Sequence, residues 1–125
     1  MGRSYKDLVA WQKAMELVTA TYRASANFPK DELFGLTSQL RRAAVSIPSN
    51  IAEGQERHGR AEFRHFLRQA NGPLMELETQ ASIAERLGYA SADTVAVILQ
   101  DAAEIGRVIN GLIHSLENWL LATGY

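Results

Sequence analysis

Glutamate and histidine side chains are the first candidates for chemistry, because carboxylates and imidazoles bind metals and transfer protons. Glu62 and His65 have the Glu-x-x-His spacing with which adjacent helical turns reach one metal ion in di-iron helical bundles. Such a site needs a second copy of the motif, and neither His58 nor His114 has a glutamate three positions earlier. His58, Glu62 and His65 could share a helix face and bind zinc, but the sequence shows no residue that would orient them. We therefore expect no metal centre.

Other patterns of catalysis or cofactor binding are absent from the sequence. The chain has no cysteine, which excludes a thiolate nucleophile, a disulfide framework and an iron–sulfur site. Ser46 and Ser49 lie beside Pro48 with no histidine near them in sequence, and no nucleophile elbow, P-loop or dinucleotide fingerprint occurs. We expect a protein without enzymatic activity, without a cofactor and without a small-molecule substrate.

Arginine residues give the strongest functional lead. Arg60, Arg64 and Arg68 follow one another at steps of four, so a helix places them on one face. A row of guanidinium groups can follow the phosphates of a nucleic acid. Intervening glutamates and an isoelectric point near 6.3 favour the alternative, in which the arginines are solvated or paired with carboxylates. The candidate nucleic-acid contacts are Arg41, Arg42, Arg57, Arg60, Arg64 and Arg68.

The charges are distributed unevenly along the chain. Its 125 residues carry a net charge of −1, but residues 1–70 hold eleven Lys and Arg against seven Asp and Glu. Residues 71–125 hold two basic against seven acidic residues, so the halves carry +4 and −5. Separate basic and acidic surfaces, or head-to-tail contacts between copies, would explain this asymmetry. Solvated helix faces that differ by chance would explain it equally well.

Helical periodicity accounts for nearly the whole chain, which we interpret as one domain over residues 1–125. Apolar residues recur at steps of three and four in four segments. The predicted helices cover approximately residues 8–26, 36–55, 60–87 and 91–121. The predicted core stripe of the first is Leu8, Trp11, Met15, Val18 and Tyr22. Short connections favour antiparallel neighbours, so the expected fold is an all-α, up-down-up-down four-helix bundle.

Proline and glycine residues mark bends and ends in these helices. Pro48 lies inside the second apolar stripe and Pro73 inside the third, and each removes a backbone donor and disturbs the preceding turn. We therefore predict kinks in both helices. Gly88 is placed to close the third helix, and Ser91 to cap the fourth.

The fourth helix has more apolar surface than one core stripe requires. Its main register is Val95, Ile98, Ala102, Ile105, Ile109, Leu112, Leu116 and Trp119. Further apolar residues fall outside that register, and a wide apolar face usually meets a second partner. The candidate oligomer contacts among them are Leu99, Val108, Ile113 and Leu120. Alternatively, the flanking helices of the same bundle cover this excess.

The composition is typical of a globular protein, with 46% hydrophobic and 22% charged residues. No apolar run approaches the roughly 20 residues of a membrane span, and the first ten residues lack a signal-peptide core. We therefore expect a cytoplasmic protein with no membrane partner.

The segment from Phe28 to Gly54 resembles a known family. Its most specific part, residues 36–54, reads LTSQLRRAAVSIPSNIAEG. With similar residues around Trp11, Phe63 and Leu77, this segment is similar to a bacterial family named for members encoded in intervening sequences of 23S ribosomal RNA genes. The resemblance implies a four-helix bundle assembled as a ring-shaped homopentamer, and it supplies no catalytic residue.

The architecture is also similar to that of the accessory variability protein of diversity-generating retroelements, which works with a reverse transcriptase and RNA. Those accessory proteins are strongly basic, whereas this chain is slightly acidic. Our leading hypothesis is a homo-oligomeric bundle that associates with RNA or a nucleoprotein. The alternative is a protein–protein interaction scaffold without a nucleic-acid role.

Overall fold

Four α-helices make up almost all of the structure, a computed structural model that describes residues 4–57 and 59–123. The helices are α1 (Val9–Ser25), α2 (Leu36–Glu56), α3 (Arg60–Arg86) and α4 (Ala92–Thr123). Two single turns of 3-10 helix, at Tyr5–Asp7 and Lys30–Glu32, precede α1 and α2. No strand occurs in the described residues, so the predicted all-α class and helix count are confirmed.

Each helix packs against two neighbours, in the order of the chain. α1 contacts α2 and α4, and α3 contacts the same two helices, while the described residues show no packing between α1 and α3 or between α2 and α4. Trp11, early in α1, shares a surface groove with Ala52, late in α2. Lys13, early in α1, forms an ion pair of 2.6 Å with Glu104 of α4. The groove that Trp11 and Ala52 share fits antiparallel packing of α1 and α2, and the antiparallel order of the whole bundle stays a prediction.

The core lies between the four helices, and its largest fully buried side chains come from all of them. They include Leu17 of α1, Ile47 of α2, Leu77 of α3 and Ile105 of α4. Removal of these side chains from water, at about 25 cal/mol per Å² of apolar surface, holds the bundle together.

The predicted apolar stripe of α1 is only partly buried, because Leu8, Trp11 and Val18 pack against the core whereas two other members do not. Met15 and Tyr22 are exposed on the structure, whereas the fully buried face of α1 carries Ala10, Ala14 and Leu17. α1 has two adjacent apolar faces, and the smaller side chains point inward because they allow neighbouring helices to approach closely. The larger side chains lie beside α2 at the surface.

The ends of α3 and α4 confirm the predicted cap residues. Gly88 adopts a φ of +77°, and the N–H of Tyr89 donates to the carbonyl of Ala84 at 2.9 Å, which closes α3. The hydroxyl of Ser91 accepts from the N–H of Thr94 at 3.2 Å and caps α4.

A single carboxylate joins two connections at one end of the bundle. Glu32 accepts a hydrogen bond of 3.1 Å from the N–H of Leu36, at the start of α2. Its other oxygen accepts from the hydroxyl of Tyr89 at 3.0 Å, and this hydrogen bond raises the pKa of Tyr89. The α1–α2 connection is thereby held against the α3–α4 connection.

Both internal prolines lie within continuous helices, Pro48 in α2 and Pro73 in α3. The kinks predicted at these positions stay predictions. None of the described helices combines the length and apolar character needed to cross a membrane.

Candidate nucleic-acid interface

The predicted row of arginines lies where the end of α2, the start of α3 and the end of α4 meet. Arg57 follows directly after α2 and donates to Glu53 one turn earlier, at 2.7 Å. Its guanidinium also lies 5.2 Å from the centre of the Phe66 ring. Because both side chains of this ion pair are half exposed, the pair contributes roughly 0–1 kcal/mol and opens at little cost.

The end of α4 crosses the same row and contacts two further arginines. The guanidinium of Arg60 lies over the Trp119 ring, 4.0 Å from its centre. Arg68 forms an ion pair of 2.5 Å with Glu117, whose side chain is also partly exposed. Arg64 lies between them in sequence and is half-buried.

These contacts change the electrostatics expected from sequence alone. Glu53 and Glu117 offset two of the four positive charges in the row, so phosphates would have to displace them. Arg57, although paired with Glu53, and Arg60 also lie within cation–π distance of aromatic rings, those of Phe66 and Trp119. Planar guanidinium groups bind phosphates and also stack with unpaired bases.

Arg41 and Arg42 lie far from this row, at the beginning of α2. Arg41 and Arg57 are about 24 Å apart along the helix at 1.5 Å per residue. Arg41 donates to the hydroxyl of Ser25 at 2.8 Å, and its guanidinium lies 4.5 Å from the centre of the Tyr22 ring. It therefore ties α2 to the end of α1, while Arg42 is exposed. The structure thus divides the six predicted contacts into two separate groups.

The oligomer contacts predicted on α4 need a correction. Ile113 is only 8% exposed and Leu120 only 3%, so both are buried within a single molecule. Leu99 and Val108 are partly buried against the core. The bundle itself therefore covers Ile113 and Leu120, whereas oligomer contacts through Leu99 and Val108 stay a prediction.

The buried face of α4 also departs from the predicted register near the end of the helix, where Trp119, predicted to lie in the core, is exposed. Over 32 residues, a straight helix of 3.6 residues per turn drifts away from a strict three-four repeat by about 20° per heptad. The buried positions therefore continue from Ile109 to Ile113 instead of Leu112.

Sequence reasoning missed two exposed apolar surfaces. One, here called the α1–α2 seam, consists of Met15, Tyr22, Leu33, Phe34 and Val45. The other, here called the α3 ridge, consists of Met75, Thr79, Ile83 and Leu87. The spacing of the ridge, four residues at each step, was a visible signal in the sequence.

Of the three residues considered for a metal site, the structure describes Glu62 and His65. Glu62 and His65 are both exposed on α3. In the described part of the chain, no group of three His, Asp or Glu side chains could hold a metal ion. His58 lies outside the described residues.

Comparisons with known proteins agree with this architecture. The family model described as 23S rRNA-intervening sequence protein matches residues 6–111. A solved structure from Bacteroides thetaiotaomicron, described as a protein with unknown function from the S23 ribosomal protein family, is 25% identical in sequence. It superposes with a TM-score of 0.75, covering 84% of this chain and 98% of that chain. None of the curated proteins matches the chain.

Proposed function

This chain belongs to the 23S rRNA-intervening sequence protein family, and we propose that it is a non-enzymatic helical bundle that associates with RNA or a nucleoprotein. In this proposal the protein works in the cytoplasm as a homo-oligomer. The proposed assembly is a homopentamer, the state that the family resemblance implies. The arginine row at the α2–α3 junction is its contact surface for RNA.

The observation that carries the RNA-binding proposal is the contact of two arginines with aromatic rings, of which the Trp119 ring is exposed. Arg57 lies against Phe66 and Arg60 against Trp119, at distances typical of cation–π contacts. A guanidinium group that already rests on a ring loses less conformational entropy when it binds a phosphate or a base. Several such contacts on each copy of an oligomer would reinforce one another through avidity.

RNA binding is tested with a fluorescently labelled RNA hairpin with a single-stranded loop, measured by fluorescence anisotropy at about 50 and 200 mM salt. We expect micromolar binding that weakens steeply with salt. The double variant Arg57→Gln/Arg60→Gln should weaken binding about tenfold or more. The magnitude of the slope of log K against log salt concentration should also fall by about 2, since each phosphate contact contributes close to 0.9 to that slope.

A matched control is Arg23→Gln/Arg86→Gln, which removes the same charge from two other exposed positions. This control should retain nearly all binding, and circular dichroism should show equal helicity in both variants. Equal losses in the two variants would show that only net charge matters. Absence of binding by the wild type at low salt would overturn the RNA proposal.

A second candidate function is a protein–protein scaffold, and the exposure of Phe34 favours it. This ring is 93% exposed and lies next to the exposed Leu33, an unusual arrangement for large apolar side chains with no partner. For a scaffold, the replacement Phe34→Ser should abolish the association with the partner protein and leave the helicity unchanged by circular dichroism. Undiminished association of this variant with the partner protein would contradict the scaffold function.

A further inference from the structure

The α1–α2 seam is an apolar groove between two helices. Tyr22 of α1 and Val45 of α2 line it, and Phe34 stands at its end. The groove continues past Val45 to Trp11 and Met15, so both halves form one surface. The groove is thus lined by aromatic residues, methionine and arginine, which are the residue types enriched at protein interfaces.

The α3 ridge has the opposite shape, a single row on the outer side of one helix. Met75 is 64% exposed and Leu87 54%, and Ile83 is exposed between them. Thr79 completes the row at a constant step of four residues. Such a row is the kind of apolar face that an amphipathic helix lays into a groove.

We propose that the ridge of one molecule docks in the seam of a second copy of this chain. The two surfaces match in length: the seam runs about 16 Å from Trp11 to Tyr22, and the ridge about 18 Å from Met75 to Leu87. Helices pack in this way when a row of side chains enters the furrow between rows on the partner.

The charges of the two surfaces are complementary. The residues that line the seam grooves include Arg41 and Arg42 and no acidic residue. The segment of α3 that carries the ridge, residues 73–87, contains three glutamates and one arginine. The two arginines of the groove and the net charge of −2 on the ridge segment attract each other, and like charges disfavour contact between two seams.

The contact is therefore heterologous, which means that each molecule uses two different surfaces. The seam lies between α1 and α2, whereas the ridge lies on α3, a helix that does not pack against α1 in the described residues. Both surfaces are thus open at the same time, and each copy can bind two others. Repetition of a heterologous contact builds a closed ring or an open filament.

This inference rests on the self-assembly in the proposed function, and complementary variants test it. The seam variant is Phe34→Glu/Val45→Glu, and the ridge variant is Met75→Glu/Ile83→Glu; all four side chains are exposed. Masses are measured by size-exclusion chromatography with light scattering. We expect an oligomeric wild type, and each variant alone should be a monomer of about 13.8 kDa.

The decisive sample is an equimolar mixture of the two variants. The seam variant keeps its ridge and the ridge variant keeps its seam, so the mixture should form a 1:1 heterodimer and nothing larger. The control variant Val97→Glu/Leu121→Glu changes two exposed apolar residues outside both surfaces and should stay oligomeric. Phe34→Ser, which adds no charge, should weaken the oligomer with unchanged helicity by circular dichroism.

The results separate this inference from the proposed function. An oligomer that survives in either variant, or a mixture that stays monomeric, would overturn the docking of ridge in seam while self-assembly stands. A monomeric wild type across the concentration range would overturn self-assembly itself. Both results are obtained from molecular mass in the absence of RNA, whereas the RNA proposal is tested separately through Arg57 and Arg60.

Discussion

At the scale of single residues, the bundle contains two buried threonines with different hydrogen bonding. The hydroxyl of Thr21 donates to the carbonyl of Leu17 at 2.7 Å, within α1. The hydroxyl of Thr37, in the first turn of α2, is buried without a hydrogen-bond partner in the described residues. A buried polar group without a partner costs roughly 1–3 kcal/mol.

Replacement of Thr37 by valine should therefore stabilise the protein. The substitution Thr37→Val keeps the shape and the branched Cβ but removes the unpaired hydroxyl, so we expect a gain of about 1 kcal/mol. In thermal unfolding this corresponds to a rise of roughly 3–5 °C for a domain of this size. The matched variant Thr21→Val loses a hydrogen bond and should show no rise. A similar rise in both variants would refute the explanation.

At the scale of helices, α2 and α3 are in close contact where Gly54 faces the start of α3. A Cβ atom at Gly54 would lie 2.7 Å from the Cβ of Phe66 and 3.2 Å from the Phe63 ring. The Cβ of Phe66 belongs to the stem of that side chain and cannot move without the helix. The close approach at this junction also places Arg57 against the Phe66 ring.

The substitution Gly54→Ala should force α2 and α3 apart and destabilise the bundle. Overpacking of this kind costs about 1–3 kcal/mol, measurable by urea unfolding. The control Gly111→Ala lies in α4, where a Cβ meets nothing within 4 Å, so it should stabilise the protein by about 0.5–1 kcal/mol. If Gly54→Ala were as stable as Gly111→Ala, the two helices would not be in tight contact.

At the scale of the whole molecule, α4 contributes to the core along nearly its full length. Its buried residues run from Val95 to Leu120, and Leu121 next to them is 73% exposed. The last turns of α4 also supply Glu117 and Trp119 to the arginine row. Core packing and the candidate RNA surface therefore depend on the same segment.

Truncation of Ile113 should affect the folding of each molecule and not only its association with other copies. We expect Ile113→Ala to cost about 2–4 kcal/mol, since it leaves a cavity among buried neighbours. The cost should appear in urea unfolding at every protein concentration. Leu121→Ala, at an exposed position, should change the free energy of unfolding by less than about 0.5 kcal/mol. If the loss in free energy of unfolding disappeared on dilution of the protein, Ile113 would lie in an interface between molecules.

The sequence by itself determined the number of helices, their bounds and the caps at Gly88 and Ser91. These features depend on residues that lie within a few positions of one another, so periodicity and cap preferences are enough to predict them. The family was also visible in one continuous string, residues 36–54.

Only the tertiary structure decided which faces of the helices are buried and which charges are paired. The core side of α1, the register at the end of α4 and the pairing of Arg68 with Glu117 each depend on a helix distant in sequence. A sequence read one segment at a time shows two possible apolar faces on α1 and equivalent arginines on α3. Packing selects between them, because burial and ion pairing are properties of two surfaces together.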